Sequence, residues 1–169
     1  MKFSLYLFFS LVFLSSSVAN AGPFYVEADV MATRVDVNGT EFDIFTPKIK
    51  LGYIILPQVL FELQYSGSGE KEKDYSNMKI KSISAAYIKL GSKPDNKLRA
   101  FITLGVAETS LEITGQNAIS DKYASFSGGL AFEYLIGSKN NYFTAEYNAF
   151  YNNEDVTIMA VSLGYRHTF

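Results

Sequence analysis

The chain ends in the stretch DVTIMAVSLGYRHTF, residues 155–169. From Met159 to the C-terminal Phe169, every second side chain is apolar or aromatic except His167, and the side chains between them are small or polar. A repeat of two residues is the repeat of a β-strand, in which successive side chains point to opposite faces. The stretch therefore predicts a C-terminal strand with one apolar face and one polar face.

Seven earlier segments show the same alternation, and turn-forming residues separate them. The eight predicted strands cover residues 24–33, 42–55, 59–65, 78–91, 97–109, 122–136, 142–151 and 155–169. Pro47 predicts a bulge or a late strand start in the second strand, because proline cannot donate a ladder hydrogen bond. In the fourth strand Lys79, Lys81 and Lys89 lie at odd positions. We therefore expect the odd-numbered side chains of this strand to point away from lipid.

The predicted connections alternate in length along most of the chain. Longer loops follow the first, third and fifth strands, and short turns follow the second, fourth, sixth and seventh. The longer loops cover residues 34–41, 66–77 and 110–121. A membrane barrel has short periplasmic turns and longer outer loops, so this asymmetry predicts that both chain termini face the periplasm.

The N-terminus has the pattern of an export signal. Lys2 is followed by the apolar stretch 3–18 and by the small-x-small sequence Ala19-Asn20-Ala21, which predicts a signal peptide over residues 1–21, cleaved after Ala21. A retained membrane helix is the alternative. Residues 22–169 then form one barrel domain, without another apolar run long enough for a membrane helix.

The composition excludes several classes of protein. The chain has no cysteine, so it has neither a disulfide nor a lipoprotein anchor, and its net charge of −2 gives no basic stripe for nucleic acid. With no cysteine and one histidine, a transition-metal site is improbable, and no cofactor is expected.

Alternation alone is compatible with two kinds of barrel. In a soluble barrel of the lipocalin type the apolar face lines a ligand cavity, whereas in a membrane barrel it faces lipid. Small residues on the polar face favour the membrane barrel, since a narrow interior needs them, as does the C-terminal Phe169. Aromatic residues near the strand ends also favour it, because they form girdles where lipid meets water: Phe24, Tyr53, Tyr65, Tyr134, Phe143, Tyr151 and Phe169.

An outward apolar face places five acids and five bases inside the barrel. These residues are Glu27, Asp29, Lys48, Lys50, Glu62, Lys89, Arg99, Glu133, Glu146 and Arg166. Single charges are costly to bury unless they are paired, so we expect a salt-bridge network that fills the core. An ion path or a charged active site is the alternative, although an eight-stranded barrel is barely wide enough for its own side chains.

The signal peptide, the repeated aromatic-apolar alternation and the ending Leu163-Gly164-Tyr165-Arg166-His167-Thr168-Phe169 resemble the small outer-membrane β-barrel superfamily. That superfamily includes the OmpA transmembrane domain, OmpX and Ail, and the opacity-like proteins. The segment Lys50-Leu51-Gly52-Tyr53 of this chain also resembles the second strand of the opacity-like proteins. The resemblance implies an all-β, eight-stranded, antiparallel, up-and-down transmembrane barrel in the bacterial outer membrane. It also implies that the barrel-assembly machinery reads Leu163, Tyr165 and Phe169 in the last strand.

The same resemblance implies a non-enzymatic role in envelope integrity, with outer-membrane lipid and lipopolysaccharide as partners. Loops 66–77 and 110–121 are the candidates for contact with a host or phage surface. A small-solute channel and a lipid-modifying enzyme are the alternatives. The single histidine, His167, stands next to Thr168 and is expected as an interfacial residue at the lipid-facing rim of the periplasmic end. Lipid A-modifying enzymes act at the outer leaflet, so no catalytic residue is predicted.

Overall fold

The structure is a computed structural model and describes residues 24–73, 76–93, 97–114, 119–137, 140–153 and 155–169. The predicted signal peptide, residues 1–21, lies outside the described residues and stays a prediction. No helix among the described residues is long and apolar enough to cross a membrane.

The described residues form nine antiparallel strands. They are β1 Phe24–Val37, β2 Thr40–Leu56, β3 Val59–Ser66, β4 Gly69–Lys73, β5 Ser76–Gly91, β6 Leu98–Thr114, β7 Ile119–Leu135, β8 Asn141–Asn152 and β9 Val156–Thr168. β3 and β4 pair with successive parts of β5, so together they form one strand of the wall with a break at residues 67–68. Because β3–β5 pairing closes the ring, the wall is an eight-stranded up-and-down barrel, which confirms the predicted fold class.

The strands are strongly staggered around the barrel. Following the register from Asp29 through β2, β3, β5 and β6 leads to Tyr123 of β7. Following it the other way, through β9 and β8, leads to Glu133, ten residues further along the same strand. A stagger of this size requires tilted strands, and it decides which interior side chains share one level of the barrel.

We call the end of the barrel with the two chain termini the proximal end and the opposite end the distal end. At the distal end β1 and β2 are joined by the two-residue turn Asn38-Gly39, where both residues have positive φ, 51° and 81°. This conformation is that of a tight hairpin turn, for which Asn-Gly is a preferred sequence. The predicted loop over residues 34–41 is therefore wrong, because both strands continue to the turn.

The other two predicted long loops are also mostly strand. β4 and the start of β5 occupy most of residues 66–77, and the ends of β6 and β7 occupy much of residues 110–121. The outer faces of these segments are polar, and polar runs are typical of loops. A strand that extends beyond the lipid keeps its backbone hydrogen bonds while its outer side chains become polar. Polar side chains alone therefore do not indicate that the strand has ended.

Pro47 does not interrupt β2. The register with β1 runs through the pair Val30↔Pro47 without a shift, so the predicted bulge or late start is wrong. The irregularity lies in the neighbouring strand, where the Gly67 N–H donates to the Pro47 carbonyl at 2.9 Å at the break between β3 and β4. The N–H and the carbonyl of a strand residue point toward the same neighbouring strand. The position where Pro47 lacks an N–H therefore lies opposite this break.

A bulge in β5 reverses its two faces. The register with β6 shifts between Ile80 and Ser82. Met78 and Ile80 are buried on the distal side of the shift, and Ile83 and Lys89 on the proximal side. One extra residue in a strand moves every following side chain to the other face. The prediction that the odd-numbered side chains point away from lipid is therefore right for Lys89 but wrong for Lys79 and Lys81.

A second bulge lies in β8, where the register with β9 shifts between Ala149 and Tyr151. Tyr151 pairs with Ile158 of the inner face and packs against the buried apolar side chains. The prediction that Tyr151 belongs to the outer aromatic girdle is therefore wrong.

The outer wall carries an apolar belt. Exposed apolar side chains cover it from Phe24 at the proximal end to Phe45 and Phe126, which are 70% and 92% exposed. In β1 the belt ends at Arg34, ten residues after Phe24. At ~3.4 Å per residue and a tilt of about 40°, ten residues span roughly 26 Å along the barrel axis, close to the apolar band of about 25 Å in outer-membrane barrels.

Candidate functional site

The proximal half of the barrel encloses the ten charged residues singled out above. All ten are buried, with exposed fractions between 0% and 7%. Every strand except β4 contributes at least one of them: Glu27, Asp29, Lys48, Lys50, Glu62, Lys89, Arg99, Glu133, Glu146 and Arg166. The structure therefore brings the complete set together in one interior.

Glu146 of β8 lies at the centre of this cluster. Its carboxylate is 3.3 Å from the Lys48 Nζ, 2.9 Å from the Lys50 Nζ and 3.4 Å from the Lys89 Nζ. The amides of Gln64, at 2.9 Å, and of Asn148 also donate to it. Three lysines and two amides around one carboxylate compensate its loss of hydration, which is the condition for burying a charge.

A second group of contacts joins Glu146 to the wall of β1. Lys50 reaches Glu27 at 2.7 Å and Asp29 at 3.0 Å, and Lys48 reaches Asp29 at 3.1 Å. The Thr144 hydroxyl donates to Glu27 at 2.7 Å. Each lysine thus lies between carboxylates of different strands, so the contacts cross-link the barrel through its interior.

The third group lies nearest the proximal end and is centred on Glu133. Arg166 forms an ion pair with Glu133, while Arg99 and Lys89 lie 3.8 Å and 3.9 Å from it. The Arg166 guanidinium carbon lies 4.7 Å from the ring centre of Tyr25 and 4.3 Å from that of Tyr142. Guanidinium groups stack favourably on aromatic faces, so the pair is held by packing as well as by charge.

Glu62 connects the first and third groups. It accepts hydrogen bonds from the Tyr25 hydroxyl at 2.6 Å and the Gln64 amide at 2.7 Å, and Lys89 lies 3.3 Å away. Arg99 donates to the Pro57 carbonyl at 2.5 Å and so ties the network to the proximal turn between β2 and β3. We call these ten charged residues, together with the side chains that hydrogen-bond to them or stack on them, the lumen network.

Sequence reasoning missed the uncharged members of the lumen network. They are Tyr25, Gln64, Tyr142, Thr144, Asn148 and Ser162. All six have the parity of a predicted charge on the same strand, and that shared parity is the signal that could have found them.

The small residues of the inner face also have a local reason. A Cβ added at Gly52 would lie 1.9 Å from the Tyr25 ring, and one added at Gly164 would lie 2.0 Å from Asp29 Oδ1. These glycines therefore make room for particular neighbours in the lumen network. They do not leave a general opening along the barrel axis.

The distal half encloses an apolar cluster in place of charges. Its buried members are Met31, Val35, Phe42, Ile44, Met78, Ile80, Ile83, Ala85, Tyr87, Ala107, Leu111, Phe150, Val156, Ile158 and Ala160. Outside this cluster the wall carries exposed ion pairs between neighbouring strands, including Arg34–Asp43 at 3.0 Å and Lys122–Glu108 at 3.0 Å. We call the interior group the distal cluster and the outer pairs the charged collar.

The residues predicted as the assembly signal, and His167, which was predicted for the rim, lie outside the lumen network in the proximal half of β9 and at its end. Leu163 and Tyr165 are 65% and 46% exposed on the outer wall. His167 Nδ1 lies 2.7 Å from the Asn141 Oδ1, and its ring lies edge-on to Phe169 at 5.0 Å. The Phe169 N–H donates to the Phe24 carbonyl at 3.0 Å, which ties the C-terminus to the start of β1.

A closed eight-stranded barrel with an apolar belt outside and paired charges inside defines an outer-membrane β-barrel, because only a closed barrel satisfies every strand edge in lipid. Over residues 4–169 the sequence matches the family model described as outer membrane protein beta-barrel domain. The chain belongs to this family and is an outer-membrane protein of Gram-negative type.

Solved outer-membrane barrels share the fold at low sequence identity. The attachment invasion locus protein Ail of Yersinia pestis, solved with the heparin analogue sucrose octasulfate, is 14% identical, with a TM-score of 0.66 over 88% of this chain and 99% of that chain. Neisserial surface protein A is 19% identical, with a TM-score of 0.68 over 86% and 97%. The N-terminal barrel of Pseudomonas aeruginosa OprF is 19% identical, with a TM-score of 0.60 over 86% and 97%. No curated protein sequence matches the chain.

Proposed function

We propose that this protein is a closed, structural barrel that contributes to the integrity of the outer membrane. The observation that carries the proposal is the lumen network, in which the Glu146 and Glu133 carboxylates hold cations from four different strands. Such contacts stiffen a barrel from within and leave its charges compensated. A rigid wall with a lipid-facing belt is what a structural envelope protein requires.

Two different seals in series argue against a small-solute channel. An ion entering from the proximal end meets the lumen network, where Arg99 and Arg166 lie beside Glu133. An ion entering from the distal end meets the distal cluster, in which Met31, Ile44 and Phe150 are at most 1% exposed. Hydrated ions are excluded from packed apolar interiors, so opening the first seal alone would not create a pore.

We further propose that the termini face the periplasm, that residues 1–21 are removed on export, and that Leu163, Tyr165 and Phe169 form the assembly signal. The outward exposure of Leu163 and Tyr165 supports this role, since a receptor can reach both side chains before the barrel closes. Outer-membrane lipid and lipopolysaccharide are the proposed partners of the belt and the charged collar.

Contact with a host or phage surface is a second candidate function, and the strands that continue above the belt favour it. The heparin analogue seen with Ail does not transfer directly to this chain. Arg34, Lys79, Lys81 and Lys122 of the charged collar each lie within ion-pair distance of an acid, so among the described residues they do not form the basic patch that a polyanion needs. A mixed-charge protein surface is a better match for the distal end.

An enzymatic function receives no support from the described part of the chain. Within the described ranges, no group of three histidine, cysteine or acidic residues is arranged to hold a metal ion. His167 bonds to Asn141 at the rim, where its neighbours Tyr165 and Phe169 suit an interfacial anchor. A catalytic base needs a nucleophile within hydrogen-bond reach, and this arrangement provides none.

Conductance in planar lipid bilayers tests the structural proposal. The refolded wild-type barrel is expected to give no discrete steps, and Arg166→Ala is expected to lower stability while conductance stays at baseline. Folding of each sample is checked by migration of unboiled and boiled protein in a gel. Regular, reproducible conductance steps from the wild type would contradict the closed barrel and favour the channel.

A further inference from the structure

The distal half of the wall is split along one side between β7 and β8. The ladder between these strands runs from Leu135↔Tyr142 to Gly128↔Ala149 and ends there. β7 continues distally to Ile119 and remains paired with β6 throughout, whereas β8 ends at Asn152. The distal part of β7 is therefore a sheet edge in the described part of the barrel.

The lower part of this split is closed by serine side chains. The Ser127 hydroxyl donates to the Ala149 carbonyl at 2.7 Å, and the Ser125 hydroxyl donates to the Phe150 carbonyl at 2.5 Å. Just above them the rings of Tyr123 and Tyr151 meet edge-on at 5.0 Å. These contacts replace the missing ladder near lipid, where an unsatisfied backbone group is costly. Among the described residues, the backbone of residues 120–124 of β7 has no ladder partner on this side.

The direction of the backbone groups in β7 follows from its proximal end. The Leu135 N–H donates to Lys97 on the β6 side, and the Ile136 N–H donates to Asn141 on the β8 side. Because successive strand residues alternate in direction, even-numbered residues of β7 direct their N–H and carbonyl toward the split. Ser120, Lys122 and Ala124 therefore present the backbone groups of the open edge.

The side chains around this edge leave it accessible. Ser120, Asp121, Lys122 and Ala124 are all exposed, and none is a proline or a bulky residue that would shield the backbone. Asp121 accepts the Lys122 N–H at 2.9 Å, a contact that an incoming carbonyl can replace by rotation of an exposed side chain. Lys122 is paired with Glu108, while Asp121 has no ion pair among the described residues.

We propose that residues 120–124 of β7 form a docking edge for an extended polypeptide that adds to the sheet as a further strand. Alternating donors and acceptors at strand spacing are matched by another extended backbone, which identifies the occupant as a polypeptide. Asp121 favours a segment with a lysine or arginine on the side that faces it. This site lies above the apolar belt, so it is independent of whether the lumen is closed.

Binding of a designed peptide to the refolded mature barrel in nanodiscs tests the docking edge. The probe is a ten-residue peptide of alternating threonine and valine with one central lysine, and the control is the same peptide N-methylated at alternate residues. N-methylation blocks backbone pairing and keeps the side chains. We expect the probe to bind at least tenfold more tightly than the control and to slow hydrogen exchange of the Ser120 and Ala124 amides.

Two variants at one position separate backbone pairing from side-chain contact. Ala124→Pro removes an N–H that faces the split and spares the β6 ladder, so it should weaken peptide binding at least tenfold, whereas Ala124→Ser should change it less than twofold. Gel migration before and after boiling checks that both variants fold. Equal binding of the probe and its N-methylated control, equal binding to both variants, or protection of the same amides by lipopolysaccharide vesicles without peptide would overturn the proposal.

Discussion

The proximal and distal halves of the barrel are built from the same strands but enclose opposite kinds of side chain. Within β1, Glu27 and Asp29 face the interior of the proximal half, and Met31 and Val35 face that of the distal half. The outer face changes in the opposite sense, from exposed apolar side chains such as Val30 to charged ones such as Arg34. One strand thus changes from a membrane pattern to a soluble pattern along its length.

The comparison shows that the medium outside the wall decides what is buried within it. In lipid the apolar side chains find their best environment outside, and charges are compensated inside by one another. In water the hydrophobic effect drives apolar side chains inward, and charges remain exposed. Alternation was compatible with a membrane barrel and with a soluble barrel. The proximal half has the first arrangement and the distal half has the second.

The largest expected effect comes from removing one charge of the lumen network. Glu146→Gln leaves Lys48, Lys50 and Lys89 with one carboxylate fewer in a buried site, so we expect the free energy of unfolding to fall by about 3–5 kcal/mol. The matched control is Glu108→Gln in the exposed charged collar, where the pair with Lys122 contributes less than about 1 kcal/mol. Urea unfolding in lipid vesicles measures the free energy of unfolding of both variants. Equal losses would contradict the proposed difference between the proximal and distal halves.

Truncating leucines on the two faces of β6 tests the distal cluster. Leu111 is buried within it, so Leu111→Ala should lower the free energy of unfolding by about 2–5 kcal/mol through lost burial and a cavity. Leu104, on the same strand, is 56% exposed toward lipid, and Leu104→Ala should have a smaller effect. If urea unfolding gave Leu104→Ala the larger loss, the distal half would not be packed as a soluble core.

Arginine scanning along the outer face of β6 locates the upper limit of the lipid belt. Leu104→Arg places a charge in the belt and should cost about 2–4 kcal/mol of folding free energy, whereas Thr114→Arg, at the distal end, should cost about 0–1 kcal/mol. Refolding yield into vesicles and urea unfolding report the difference. A similar penalty at both positions would place the charged collar inside the bilayer.

The smallest expected effect concerns the split between β7 and β8. Ser125→Ala removes the hydroxyl that donates to the Phe150 carbonyl, and we expect a loss of about 1 kcal/mol in unfolding free energy. Ser84→Ala on the outer face of β5 is the control and should be near neutral. Faster hydrogen exchange at the distal end of β8 in Ser125→Ala alone would show that the serine closes the split.

The sequence was most informative where one face alternates cleanly with the other. In β9 and β6 the parity is unbroken, and it placed Arg99 and Arg166 inside and Leu104 and Leu163 outside, where the structure has them. It was least informative in β5. There Met78 and Ile80 alternate with Lys79 and Lys81, and this pattern predicts that the lysines lie on the inner face. The bulge before Ser82 places them on the outer face.

Alternation by itself determined the eight strands and, away from the bulges in β5 and β8, which side chains share a face, because a two-residue period is a local property of the chain. Tertiary structure decided which charges meet, since the ten-residue stagger brings Glu146 beside Lys48 and Lys50 from the far side of the sequence. It also decided where the wall leaves lipid and where its strands separate. Both depend on pairing between distant segments, and no local pattern records that pairing.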